Sequence, residues 1–119
     1  MSLTREDTLR AVTGISEPEH LAAIAFLQGA VYCWCKNKPD EWFALRDLMG
    51  GDNTYWSGTP LMPVYDKHYN LTDEQAFEAA AKDAGWLLKH VTVNDSRVFD
   101  TMKSGLVRQY KWQRSGPSA

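Results

Sequence analysis

Cysteine is scarce in this chain, with two residues in 119, Cys33 and Cys35. No second pair exists to complete a zinc site or a framework of several disulfides. Long apolar runs are also missing, since none reaches the roughly 18 residues of a membrane span. The opening Met1-Ser2-Leu3-Thr4-Arg5-Glu6-Asp7 is polar and partly acidic, without the basic and then apolar pattern of a secretory signal. Together these absences lead to the expectation of a reducing, cytoplasmic setting with no membrane anchor. A large excess of either charge is absent too, with 13 Lys and Arg against 15 Asp and Glu and a net charge of −2. Internal repeats and low-complexity segments are not found.

The composition is otherwise that of a folding domain. Hydrophobic residues make up 44% of the chain and aromatics 12%, enough for a core and too much for wholesale disorder. The length suits one domain, expected over residues 1–114 with a flexible tail over 115–119. The small net charge conceals an asymmetry. Residues 1–85 carry seven Lys and Arg against 13 Asp and Glu, a net of −6. Residues 86–119 carry Lys89, Arg97, Lys103, Arg108, Lys111 and Arg114 against only Asp95 and Asp100, a net of +4. An anionic partner is therefore favoured at the C-terminal end.

Capping signals divide the chain. Thr4-Arg5-Glu6-Asp7 has the form that opens a helix, with Gly14 to close it. Ser16-Glu17-Pro18-Glu19 repeats the form and opens a longer helix over residues 17–36, with Pro in its first turn. Leu21, Ile24, Leu27, Val31 and Cys35 recur at helical spacing as its buried stripe, widened by Ala30 and Trp34. Pro39 ends it. Glu41-Trp42-Phe43-Ala44-Leu45 fits either a brief strand or a helix entrance, and Gly50-Gly51-Asp52-Asn53 reads as a tight turn. Thr59-Pro60 opens a short helix whose Leu61, Val64 and Tyr65 share a face. Thr72-Asp73-Glu74-Gln75 is the clearest start signal, for a helix ending near Asn94. Phe77, Ala80, Ala81, Ala84, Leu87, Leu88 and Val91 form its stripe, with Phe77, Leu87 and Val91 expected against Ile24, Leu27 and Val31. Gly85 inside it suggests close packing on a neighbouring helix. Arg97–Met102 and Leu106–Gln113 then read as a β-hairpin turning at Lys103-Ser104-Gly105. Leu106, Arg108, Tyr110 and Trp112 alternate with Val107, Gln109, Lys111 and Gln113 across its second arm.

The expected class is mostly helical α+β, a helical core with a small antiparallel sheet formed by a C-terminal hairpin. The order of elements over residues 17–113 resembles the winged-helix architecture, in which a three-helix core carries a small sheet and the last two strands form the wing. That resemblance implies a recognition position for the Asp73 helix and a wing tip at Lys103-Ser104-Gly105. Asp73, Glu74 and Glu78 speak against reading base edges with this helix, because phosphates beside the bases repel carboxylates. The hairpin suits phosphate contact better. Lys103, Arg108, Lys111 and Arg97, together with Lys89, are the candidate nucleic-acid-binding residues, with Tyr110 and Trp112 interleaved.

The other candidate chemistry is weak. Cys33 and Cys35 are two apart on a helix and point about 200° away from each other, so they cannot share a metal. They are expected to be unbridged, free of metal and at least partly buried. His20, His68 and His90 lie on separate helices, and no elbow motif accompanies a nucleophile, although Cys35 with His68 is conceivable. Gly50-Gly51 lacks the Lys-Ser/Thr ending of a phosphate-binding loop. Trp34, Trp42, Phe43, Tyr55 and Trp56 fit a core better than a ligand pocket, because few polar groups accompany them. Asn70-Leu71-Thr72 and Asn94-Asp95-Ser96 match a glycosylation pattern that has no meaning without secretion. The expectation is a non-enzymatic domain without metal or cofactor, with nucleic acid as partner. The alternative is a protein partner on the acidic helical face.

Overall fold

The computed structural model describes residues 9–49, 56–105 and 107–113. Their elements in order are α1 (Glu17–Asn37), α2 (Leu45–Leu48), α3 (Met62–Asp66), α4 (Asp73–Asn94), β1 (Phe99–Ser104) and β2 (Val107–Trp112). The fold is mostly helical α+β with a two-stranded antiparallel sheet at its C-terminal end.

The caps explain where the long helices begin. The Ser16 Oγ accepts from the Glu19 N–H, and the Glu19 carboxylate accepts from the Ser16 N–H at 2.8 Å. Thr72 does half of this for α4, its Oγ1 accepting from the Gln75 N–H. The Thr59 hydroxyl accepts from the Leu61 N–H at the entrance to α3. The helix expected to open at Thr4 begins outside the described residues, and its remainder over 9–13 is not helical. Gly14 adopts φ +86°, a left-handed turn into Ser16. The turn at Gly50-Gly51-Asp52-Asn53, Tyr55, Leu106 and the tail from Arg114 also lie outside the described residues.

Two rows of residues at four-residue steps bring α1 and α4 together. On α1 the buried row is Ala23, Leu27, Val31 and Cys35. Leu21 is not part of it and is 57% exposed, because it sits about 100° from the centre of that row at 100° per residue. On α4 the row is Ala76, Ala80, Ala84, Leu87, Leu88 and Val91. Small side chains at Ala23, Ala80 and Ala84 keep both surfaces low where they meet one core. Phe77 is only partly buried, its ring turned to Trp56. Gly85 is not required for close approach, since an added Cβ would meet nothing within 4 Å. Leu87 has no exposed surface, so Leu87→Ala should cost about 2 to 5 kcal/mol in chemical denaturation.

The segment after α1 resolves into strand and helix at once. Phe43 and Tyr110 exchange two backbone hydrogen bonds of 2.8 Å, a single antiparallel bridge on the outer edge of β2. The Asp47 carboxylate then accepts from the Ala44 N–H at 2.7 Å and starts α2. Phe43 is fully buried, 5.7 Å from Trp34, 6.1 Å from Phe99 and 5.8 Å from Tyr110 between ring centroids. This aromatic group fastens the hairpin to the helices. Trp56 belongs elsewhere, packed between Tyr65 and Phe77, so the sequence's single aromatic cluster divides in two.

Candidate nucleic-acid interface

Strand register decides which hairpin cations act together. Phe99 pairs with Trp112, Thr101 with Tyr110 and Lys103 with Arg108, so these six share one face. Near the root that face is core, where Phe99 and Tyr110 are buried. Further out it leaves the core, and Lys103 and Arg108 are exposed. Ser104 pairs with Val107, so both strands reach the tip and the chain turns directly after Ser104, with Gly105 at φ +64°. A two-residue hairpin turn needs positive φ at its first position, which Gly supplies. Lys103 and Ser104 are consequently strand residues just inside the tip, where the sequence had suggested the turn itself.

Like charges directly opposite on a sheet destabilise it, by an amount within the roughly 0.2 to 1 kcal/mol span of cross-strand effects. Lys103 and Arg108 are such a pair. The Arg108 Nη1 donates to the Thr101 hydroxyl at 2.8 Å, which draws the guanidinium toward Thr101, one pair nearer the root on the same face. Thr101 had not been singled out, although its place two residues before Lys103 puts it on the same face.

The other three candidates lie apart from this pair. Lys111 is opposite Asp100 on the reverse face, its Nζ 5.4 Å from the centre of the Trp42 ring. Arg97 precedes β1 and is held by Asp95, with Nη1 2.8 Å and 2.9 Å from the two carboxylate oxygens. Its guanidinium also lies 5.4 Å from both the Tyr32 and Trp112 rings. The Asp95 side chain is only 2% exposed and also accepts from the Gln28 Nε2 and the Arg97 N–H. Arg97 thus joins α1 to the hairpin root. Lys89 is on α4, its Nζ 5.2 Å from the Trp86 ring centre, which Arg10 approaches at 5.0 Å.

The thiols sit as the helix period requires, both free within α1. Cys35 is buried, but Cys33 is exposed, contrary to the expectation of partial burial for both. Burial pushes the Cys35 thiol above its ordinary value, opposed by the Arg97 guanidinium and reinforced by the Asp95 carboxylate. The Nε2 of His68 meets Asp83 at 3.0 Å, and that of His90 meets the Arg10 carbonyl at 3.0 Å. Both histidines therefore have partners other than a thiol. One thiol, Cys33, should react at once with an aromatic disulfide reagent near pH 8, and Cys35 only on unfolding. Because its folded pKa is raised, the Cys35 contribution to stability is complete below the ordinary thiol range and is lost as pH rises through the folded value. Cys35→Ser should flatten that alkaline decline in a melting series.

No protein-family model matches the chain, and no curated protein or solved structure shows significant similarity to it.

Proposed function

We propose that the chain is a small, non-enzymatic, winged-helix-like domain that binds nucleic acid, or assists a complex that does, in a reducing cytoplasmic setting. Contact is made to phosphates through the distal hairpin. The observation that carries this reading is the exposed cross-strand pair Lys103 and Arg108 on one face. A bound phosphate turns their mutual repulsion into two attractive contacts. The bridge from Phe43 to Tyr110 supports the architecture, because it adds a third, minimal strand to the hairpin.

The acidic body does not cancel this patch. At about 1.5 Å per residue, α4 separates Asp73 from its C-terminal end, where the chain leads into the hairpin, by about 30 Å. The screening length at physiological salt is only about 8 Å. The carboxylates of the first turn of α4 therefore lie well beyond one screening length from the end of the helix that leads into the hairpin. The alternative reading, a protein partner on the acidic face, is supported by Asp73, Glu74 and Glu78. All three are exposed and without an ion pair among the described residues.

Replacing Lys103 by Glu tests the reading. Binding should weaken alike for all duplex sequences, and the log–log salt slope should fall by about 0.9, the contribution of one phosphate. Lys111→Glu, on the reverse face, and Glu78→Lys, on distant α4, should leave that slope unchanged. Equal effects of Lys103→Glu and Lys111→Glu would remove the role of the shared face.

A further inference from the structure

The hairpin has one closed edge and one open edge. On the closed side the Tyr110 N–H and carbonyl are both bonded to Phe43, so they point away from β1. Thr101, opposite Tyr110, therefore sits in a non-hydrogen-bonded pair of the ladder and turns its own peptide groups outward. By alternation Phe99 and Lys103 do the same, and the Gln113 N–H bond to the Val98 carbonyl fits that order. Phe99 is 1% exposed, which closes the root of this edge. Toward the tip the edge opens, with Met102 41% exposed and Lys103 and Ser104 exposed as well. Among the described residues, no backbone group outside the hairpin bonds to Thr101 or Lys103. Their four outward peptide groups form a template for another strand.

The sequence of β1 selects that strand. Two copies paired antiparallel about a two-fold axis normal to the sheet keep each face on its own side, so the axis passes through a residue and not between two. An axis at Asp100 or Thr101 needs the peptide groups of buried Phe99. An axis at Lys103 puts two ammonium groups directly opposite, which destabilises a sheet. An axis at Met102 meets neither objection. Thr101 of each copy then exchanges both backbone bonds with Lys103 of the other, which uses all four open groups on each edge. Met102 faces Met102 across the axis and covers exposed apolar surface. Asp100 lies opposite Ser104, whose hydroxyl can donate to the carboxylate.

We propose that β1 pairs antiparallel with β1 of a second copy of this chain about Met102, giving a two-fold dimer with a four-stranded sheet. The occupant is another copy because the edge complements itself in this register. The dimer gathers Lys103 and Arg108 of both copies on one face, and it stands whether or not that face meets phosphate.

Sedimentation equilibrium of the full chain under reducing conditions should show monomer and dimer in exchange. Five residues per copy make a small contact, so a dissociation constant of about 0.1 mM is expected. Thr101→Pro removes one outward donor per copy without touching a bond to β2, and should weaken the dimer at least about tenfold with circular dichroism unchanged. Cross-linking reads the register. In a Cys33→Ser background, Met102→Cys should form a symmetric disulfide under diamide at least about tenfold faster than Ser104→Cys. Across the proposed axis the two Met102 Cα atoms lie about 4.5 Å apart, within disulfide reach, and the two Ser104 Cα atoms more than about 13 Å apart. A wild type that stays monomeric at about 2 mM, a dimer that Thr101→Pro leaves unchanged, or equal cross-linking at the two cysteine positions overturns the proposal. Because wild-type protein supplies the first result, an unstable variant cannot obscure it.

Discussion

Asp95→Ala should lower folding stability by about 3 kcal/mol or more, near the lower end of the 3 to 5 kcal/mol typical of breaking a buried pair. The carboxylate is almost wholly buried and accepts four hydrogen bonds, one from Gln28 of α1 and three from Arg97. Its removal leaves the Gln28 amide and the guanidinium without an acceptor. The Arg97 side chain is 19% exposed and can turn partly to water, which favours the lower figure. Asp95→Asn keeps one acceptor oxygen and should cost less. The loss also loosens the hairpin root, where the Gln113 N–H donates to the Val98 carbonyl. Hydrogen exchange at Gln113 should therefore accelerate more than exchange in the middle of α1. Uniform acceleration would mean that Asp95 supports the whole fold and not this junction.

Phe43→Ala should cost about 3 to 5 kcal/mol, the usual range for a large aromatic removed from a core. Phe43 touches Trp34 on α1, Phe99 on β1 and Tyr110 on β2, so the cavity opens where α1 and both strands of the hairpin share side chains. The backbone bridge to Tyr110 does not depend on the side chain. Phe43→Leu should then recover most of the loss, because a leucine fills much of the volume while the bridge holds the register. A loss below about 1 kcal/mol for Phe43→Ala would show that the hairpin docks by its backbone alone.

Local rules were legible in the sequence, and long-range partners were not. Ser16 and Thr72 mark helix starts through bonds within four residues, Pro39 marks an end by its missing N–H, and the structure has the ends there. Alternation from Arg108 to Trp112 likewise fixes which side chains share a face before any partner is known. Leu21 shows the limit of periodicity, because several rows on α1 are apolar and only packing on α4 selects the one through Ala23. The turn was displaced because Gly105 can close a hairpin from either side, and the pairing of Ser104 with Val107 decides the matter. Arg97 looked available because no sequence rule announces that Asp95, two residues earlier, is buried and holds it. The packing of α3 on the first turns of α4 stayed hidden for the same reason. Trp56, Tyr65 and Phe77 come from three segments, and only the fold assembles them beside Asp73 and Glu74.

The most direct test of the hairpin account is the salt dependence of binding to a labelled random duplex, measured by fluorescence anisotropy for wild type and for K103E/R108E. Wild type should bind at micromolar concentrations in low salt, with a log–log slope of about −1.8 from two phosphate contacts, and the double variant should show little binding at any salt concentration. Wild-type binding that is absent under these conditions, or that survives unchanged in K103E/R108E, would contradict the account.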